Sequence, residues 1–135
     1  MTTPEPVSGA VPIVPFPQPR KAIEWLTEAF GATPILIVPP DPELPLQHAE
    51  VRIGTGVVMV DDAECNGTFS LPGPVALYVV VDSAAEVDAL HDRAVTAGAE
   101  IIQALTDQDY GSHEFGARDP HGNIWSFGTY RPSLT

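Results

Sequence analysis

The sequence predicts an α+β fold in which two tandem βαβββ modules form a mixed, mostly antiparallel curved sheet with a cleft. Three observations predict it. Each half of the chain runs strand, amphipathic helix, Gly-Ala, strand, the two pairs being Gly31-Ala32 and Gly98-Ala99. In each half the later strands follow one another through short connections, the pattern of antiparallel pairing, and no second helix appears. Residues 62–74 are rich in Gly, Pro and Asn and separate the halves, so the modules are expected at about residues 11–61 and 75–130 of a single domain.

The elements follow in order. Residues 11–16 are extended, and Pro12 and Pro15 cannot donate to a ladder, which confines this strand to a sheet edge or to exchange between protomers. Ala22, Ile23, Leu26 and Phe30 recur at helical spacing, with Pro19 suited to the first turn and Gly31 to the C-terminal cap. A strand at residues 34–38 precedes a proline-rich turn. Residues 48–53 alternate polar and apolar side chains, as a half-buried strand does, and Gly54-Thr55-Gly56 turns the chain into a strand at 57–60. The second half opens with an almost continuous apolar strand at 75–81. Ser83 and Glu86 have capping-box spacing, Val87, Leu90 and Ala94 face inward, and the helix stops at Gly98. Residues 99–105 form a strand, and 110–118 with 123–130 form a hairpin about Asp119-Pro120-His121-Gly122.

Composition bounds the function. With 135 residues, 44% hydrophobic and 18% charged, the chain fills one core and is not disordered. No apolar run approaches the roughly 20 residues that cross a bilayer. Residues 1–9 carry neither a basic region nor an apolar signal core, so a cytoplasmic protein is expected. A net charge of -12 repels phosphate backbones and anionic lipid, which argues against nucleic acid and membrane as partners. The same charge attracts cationic ligands and favours solubility. Cys65 is the one cysteine, so no intrachain disulfide forms, and the neighbouring Asp61, Asp62 and Glu64 raise a thiol pKa rather than activate it. Asn66-Gly67-Thr68 matches a glycosylation acceptor but has no secretory signal to give it meaning.

Among chemistry-bearing residues, His48, Glu50 and Arg52 share one strand face by the period of two. His113 and Glu114 are adjacent and point oppositely, so they cannot chelate together. His48 and His113 are the candidate acid–base groups: both titrate near neutrality and both fall in strands expected to wall the cleft. The competing role for each is a hydrogen bond to a neighbour. His91 and His121 read as surface residues. No Ser-His-Asp order, phosphate-cradling glycine loop or Cys-His pair stands out.

Tyr110-Gly111, Phe115 and Asp119-Pro120-His121-Gly122-Asn123-Ile124-Trp125 resemble the closing hairpin of vicinal-oxygen-chelate proteins, the fold of glyoxalases, bleomycin-resistance proteins and extradiol dioxygenases. The segment from Trp25 to Ala32 is similar to that family's first helix, and His48-Ala49-Glu50 to the start of its third strand. The resemblance implies a homodimer with small-molecule clefts between sheets. The family's four metal-ligand positions fall at about Val11, Met59, Val75 and Ser126, none of which suits a divalent ion, so neither a metal nor another cofactor is expected. His48, Glu50, Tyr110, His113, Phe115 and Ser126 are the expected ligand-binding residues. On the eighth strand the face of Ser126 is expected to look into the cleft, with Trp125 packed beneath the helices. The implied function is a metal-free binder of a small aromatic or cationic compound. The alternative is a lyase, isomerase or dioxygenase in which His48, Glu50 or His113 replaces the lost metal.

Overall fold

The computed structural model describes residues 11–64 and 74–132. Cys65 and the Asn66-Gly67-Thr68 pattern lie outside the described residues. The first half contributes β1 (Ile13–Phe16), α1 (Pro19–Phe30), β2 (Thr33–Val38), β3 (His48–Ile53) and β4 (Gly56–Asp62). The second contributes β5 (Ala76–Val80), α2 (Ala84–Thr96), β6 (Glu100–Asp107), β7 (His113–Arg118) and β8 (Ile124–Gly128). The predicted α+β class and the two βαβββ units are observed. They form two four-stranded mixed sheets, ordered β1-β4-β3-β2 and β5-β8-β7-β6.

In each sheet the first strand pairs in parallel with the last, and the remaining pairs are antiparallel. The proline-marked β1 pairs with β4 at a sheet edge, a position that proline tolerates. The sheets adjoin where β1 meets β5, since Ile13, Val14, Ala76 and Tyr78 line one crevice. At the other end of that seam Thr55 donates its N–H and its hydroxyl to the Val80 carbonyl, at 3.1 and 3.0 Å. Gly54 makes this approach possible. Its φ is +57°, and a Cβ there would lie 2.5 Å from Val79 Cγ1 and 2.7 Å from the Val80 carbonyl.

Both helices cover the same side of the molecule. Pro19 occupies the first turn of α1, and Gly31 ends the helix in the left-handed region, φ 66°. Ser83 caps α2 by accepting from the Glu86 N–H. At the far end of α2 the Gly98 and Ala99 N–H groups reach the Val95 and Ala94 carbonyls, the double bond of a Schellman motif. Arg93 of α2 then donates to the Glu28 and Thr27 carbonyls near the end of α1, groups that no helical N–H can reach. The core runs across both units. Phe30 of α1 meets Trp125 and Phe127 of β8 at ring separations of 5.8 and 4.8 Å, and Phe115 stacks on Phe127 at 5.3 Å.

Candidate functional site

Alternation along the strands sorts every side chain to a helix-covered face or an open one. In the first sheet Ala49, Val51, Ile53, Val58 and Val60 are buried under α1, so His48, Glu50 and Arg52 of β3 share the open face with Met59 and Asp61 of β4. In the second sheet Phe115, Ala117, Trp125 and Phe127 form the buried face. The open face therefore carries Tyr78 of β5, Ser126 and Gly128 of β8, and Glu114 and Gly116 of β7, which the register places side by side. Trp125 is buried on the helix side, as expected, and Ser126 lies on the opposite face.

On the open face of the first sheet, His48 Nε2 lies 2.9 Å from Glu50 and Nδ1 lies 3.4 Å from Asp61. The hydrogen bond to Glu50 raises the His48 pKa, partial burial opposes it, and Asp61 adds to the rise. A carboxylate beside each nitrogen favours the protonated form of the imidazole, in which both nitrogens donate.

On the open face of the second sheet the centre is Glu114, 4% exposed. Tyr110, in the turn before β7 rather than in the strand, donates its hydroxyl to Glu114 Oε1 at 2.5 Å. Gln103 of β6 approaches the same oxygen at 3.5 Å, while Oε2 is buried and has no hydrogen-bond partner. Burial pushes the Glu114 carboxyl up, but donation from Tyr110, with weaker help from Ser112, Gln103 and Gln108, outweighs it and leaves the pKa below the usual value; Ser112 and Gln108 stand near the group, yet neither is in bonding geometry with Oε2. The group is a carboxylate at neutral pH. The same hydrogen bond, with burial adding to it, raises the Tyr110 phenol to about 12.

Two expected site residues lie elsewhere. Phe115 has no exposed surface and packs between Phe127 and His91 of α2, so it is core and does not face the open side. His113 shares the parity of Phe115 and sits on the helix side. Its Nε2 is 2.6 Å from Asp88 of α2 and its Nδ1 is 2.8 Å from Asp107 of β6, so it ties a helix to a strand and leaves the open face to Glu114. The structure thus brings His48 together with Glu50, and Tyr110 together with Glu114, and separates His113 and Phe115 from both groups. From the sequence, Asp61 is a conceivable partner of His48, Glu114 an alternative to His113 on the hairpin wall and Tyr78 a ring for stacking, whereas nothing in the sequence singles out Tyr130. Glu114 was legible from the apolar Phe115-x-Ala117 pair, which marks the opposite face as buried.

Of the four positions that would carry the resemblance's metal ligands, Met59 and Ser126 are on open faces, while Val11 and Val75 precede β1 and β5. Two isopropyl groups, a thioether and a hydroxyl do not suit a divalent ion. Among the described residues no three His, Cys, Asp or Glu side chains are grouped to hold one. A groove of about 680 Å³ runs from Arg52 at the end of the first sheet's open face past the β3–β4 turn to α2, with Asp82, Glu86 and Arg93 also on its walls.

Fold and site define the class: tandem βαβββ units whose polar and aromatic groups stand on open sheet faces opposite the helices. The sequence profile of the Glyoxalase/Bleomycin resistance protein/Dioxygenase superfamily matches residues 12–127, and the chain belongs to that superfamily. The uncharacterized protein Mb0911c of Mycobacterium bovis is 36% identical over 115 residues, covering 79% of this chain and 73% of that protein. Rv0887c of Mycobacterium tuberculosis matches equally, but the chain spans only 65% of its length. Among solved structures, TioX from Micromonospora sp. ML1 superposes with a TM-score of 0.69 at 28% identity, covering 95% of this chain and all of that one (100%). A lactoylglutathione lyase from Agrobacterium tumefaciens superposes at 0.67 and 20% identity, covering 92% and 95% of the two chains, a likeness of fold.

Proposed function

We propose that this protein binds a small organic molecule on its open sheet faces, in a cleft completed by a second copy of the chain. The observation that carries the reading is the character of those faces. They hold aromatic rings, a carboxylate with an unpartnered oxygen and a His–carboxylate cluster, while the hydrophobic side chains that fill the core are on the other side. His48, Glu50, Tyr110 and Ser126 remain in the proposed site, joined by Glu114 and Tyr78. The ligand is an aromatic or cationic compound, in keeping with the net charge of -12, and nucleic acid is disfavoured by the same charge. No helix among the described residues is long and apolar enough to cross a membrane, and the cytoplasm is the proposed compartment.

A ligand screen read by thermal shift tests this. Compounds that stabilise the wild type should lose affinity with Ser126→Ala or Glu50→Gln while both variants melt near the wild-type temperature. Hits indifferent to every open-face substitution would refute it.

The His48–Glu50 pair supports a second reading, an acid–base enzyme of the same superfamily working without the family metal. Both His48 nitrogens already face carboxylates, so neither is free to take a substrate proton until one of those contacts breaks. The other form of the enzyme reading is a metal held away from the four family positions, and elemental analysis of protein purified without chelator tests it. Zn, Ni, Fe, Mn and Co are expected far below one equivalent, and a stoichiometric ion surviving dialysis would favour the enzyme.

A further inference from the structure

The chain has three tyrosines, and all three converge around Glu114. Tyr110 donates to its Oε1, and the Tyr110 and Tyr130 rings meet edge to face at 5.6 Å. The Tyr78 hydroxyl donates to the Tyr130 carbonyl at 3.0 Å and lies 3.4 Å from Ser112 Oγ. Ser112 Oγ in turn accepts from the Tyr130 N–H at 3.3 Å. Gly128 lets them close. A Cβ there would lie 2.5 Å from the Tyr78 hydroxyl, 2.8 Å from Ser112 Oγ and 3.0 Å from Glu114 Cβ. Tyr78, Tyr110 and Tyr130 are 39%, 56% and 44% exposed, whereas the carboxylate beneath them is almost wholly covered.

A buried carboxylate oxygen without a donor is costly, and it persists where something outside the chain supplies the donor. The occupant must bring an N–H or O–H, and a positive charge best offsets a buried negative one. Aromatic faces beside the carboxylate add attraction for a cation and disfavour an anion. Of the six lysines and arginines, Arg20, Arg93, Arg118 and Arg131 are engaged with carbonyls or carboxylates, while Lys21 and Arg52 belong to α1 and β3 of the other unit.

We propose that Glu114 and its three tyrosines form a subsite for a protonated organic amine that retains at least one N–H. This deepens the proposed function, on which it rests, by naming the chemical class recognised at that face. The ammonium donates to Oε2, its substituents lie against Tyr110 and Tyr130, and it enters by displacing exposed rings while the core stays in place. A neutral alcohol of equal size lacks the charge, and a quaternary ammonium lacks the N–H.

The test is an NMR titration of the full chain with 2-phenylethylammonium, 2-phenylethyltrimethylammonium and 2-phenylethanol. The primary amine should perturb the tyrosine ring and Glu114 signals and bind about tenfold or more tighter than either analogue. Glu114→Gln should abolish that preference. Tyr130→Ala, which removes an exposed ring and leaves the carboxylate, should weaken the amine roughly two- to fivefold and keeps the test valid if Glu114→Gln does not fold. No perturbation at Glu114 by the amine, or equal binding of all three probes, would overturn the subsite. A screening hit that depends on Ser126 or Glu50 but not on Glu114 would overturn this inference alone and leave the small-molecule cleft standing.

Discussion

The carboxylate of Asp119 accepts from the His121 and Asn123 backbone N–H groups, the Asn123 amide and the Trp125 indole, all between 2.8 and 3.0 Å. Asn123 Oδ1 then accepts from the Val75 N–H and anchors the start of β5. The family signature Asp-Pro-x-Gly-Asn-x-Trp is therefore a turn that fixes its own tryptophan, which is why it reports fold and says nothing of ligand. Asp119→Ala leaves buried donors without an acceptor, at about 1–3 kcal/mol each, and should lower the melting temperature as clearly as a core truncation. Trp125→Ala should cost about 3–5 kcal/mol by chemical denaturation, while Ser126→Ala should leave folding nearly intact. A stable Trp125→Ala beside a destabilised Ser126→Ala would reverse the assignment of faces. At this scale the sequence was readable where alternation was strict, as at His48-Ala49-Glu50. Phe115 was misassigned because an aromatic residue beside His113 fits a ligand wall and a core equally well until the buried face is known.

The hairpin strand β7 begins at His113, three residues later than its sequence pattern implies, because Tyr110 and Gly111 belong to the turn and Gly111 takes φ 86°. Helix limits were more legible, since Pro19, Gly31, Ser83 and Gly98 mark them chemically. The clasp between elements was not. Asp88 and Asp107 are remote in sequence from His113, and nothing in local spacing says they meet. Hydrogen bonds to Asp88 and then Asp107 raise the His113 pKa against a smaller opposing effect of burial. A raised pKa in the folded state stabilises the protein fully below the unfolded value of 6.5, and the gain is lost as pH rises through the folded value. The stability difference between wild type and His113→Gln should thus be larger in mildly acidic than in alkaline buffer. Its size should be only about 0.2–1 kcal/mol, because both carboxylates face solvent. A difference independent of pH would mean the contact is packing rather than charge.

At the scale of the molecule, one chain leaves both open faces without a lid. Leu36, Tyr78, Tyr110 and Tyr130 are exposed, apolar or aromatic side chains that a partner's surface could cover. Each sheet also ends in unpaired edges at β2 and β6. A second copy would cover a face and convert a shallow surface into an enclosed cleft, which is the reason to expect a homodimer. The cost is electrostatic. Each protomer brings a net charge of -12, and like charges resist approach. Salt screens that repulsion over a Debye length of about 8 Å at physiological ionic strength, while apolar burial is little affected. Dimerisation should therefore tighten as sodium chloride is raised from low to physiological concentration, the reverse of an interface held by ion pairs. Sedimentation equilibrium across a salt series reads this directly. A monomer of 14.4 kDa at micromolar concentration in every buffer would remove the dimer, and dissociation by added salt would mean that charge pairs, rather than the apolar open faces, hold the copies together.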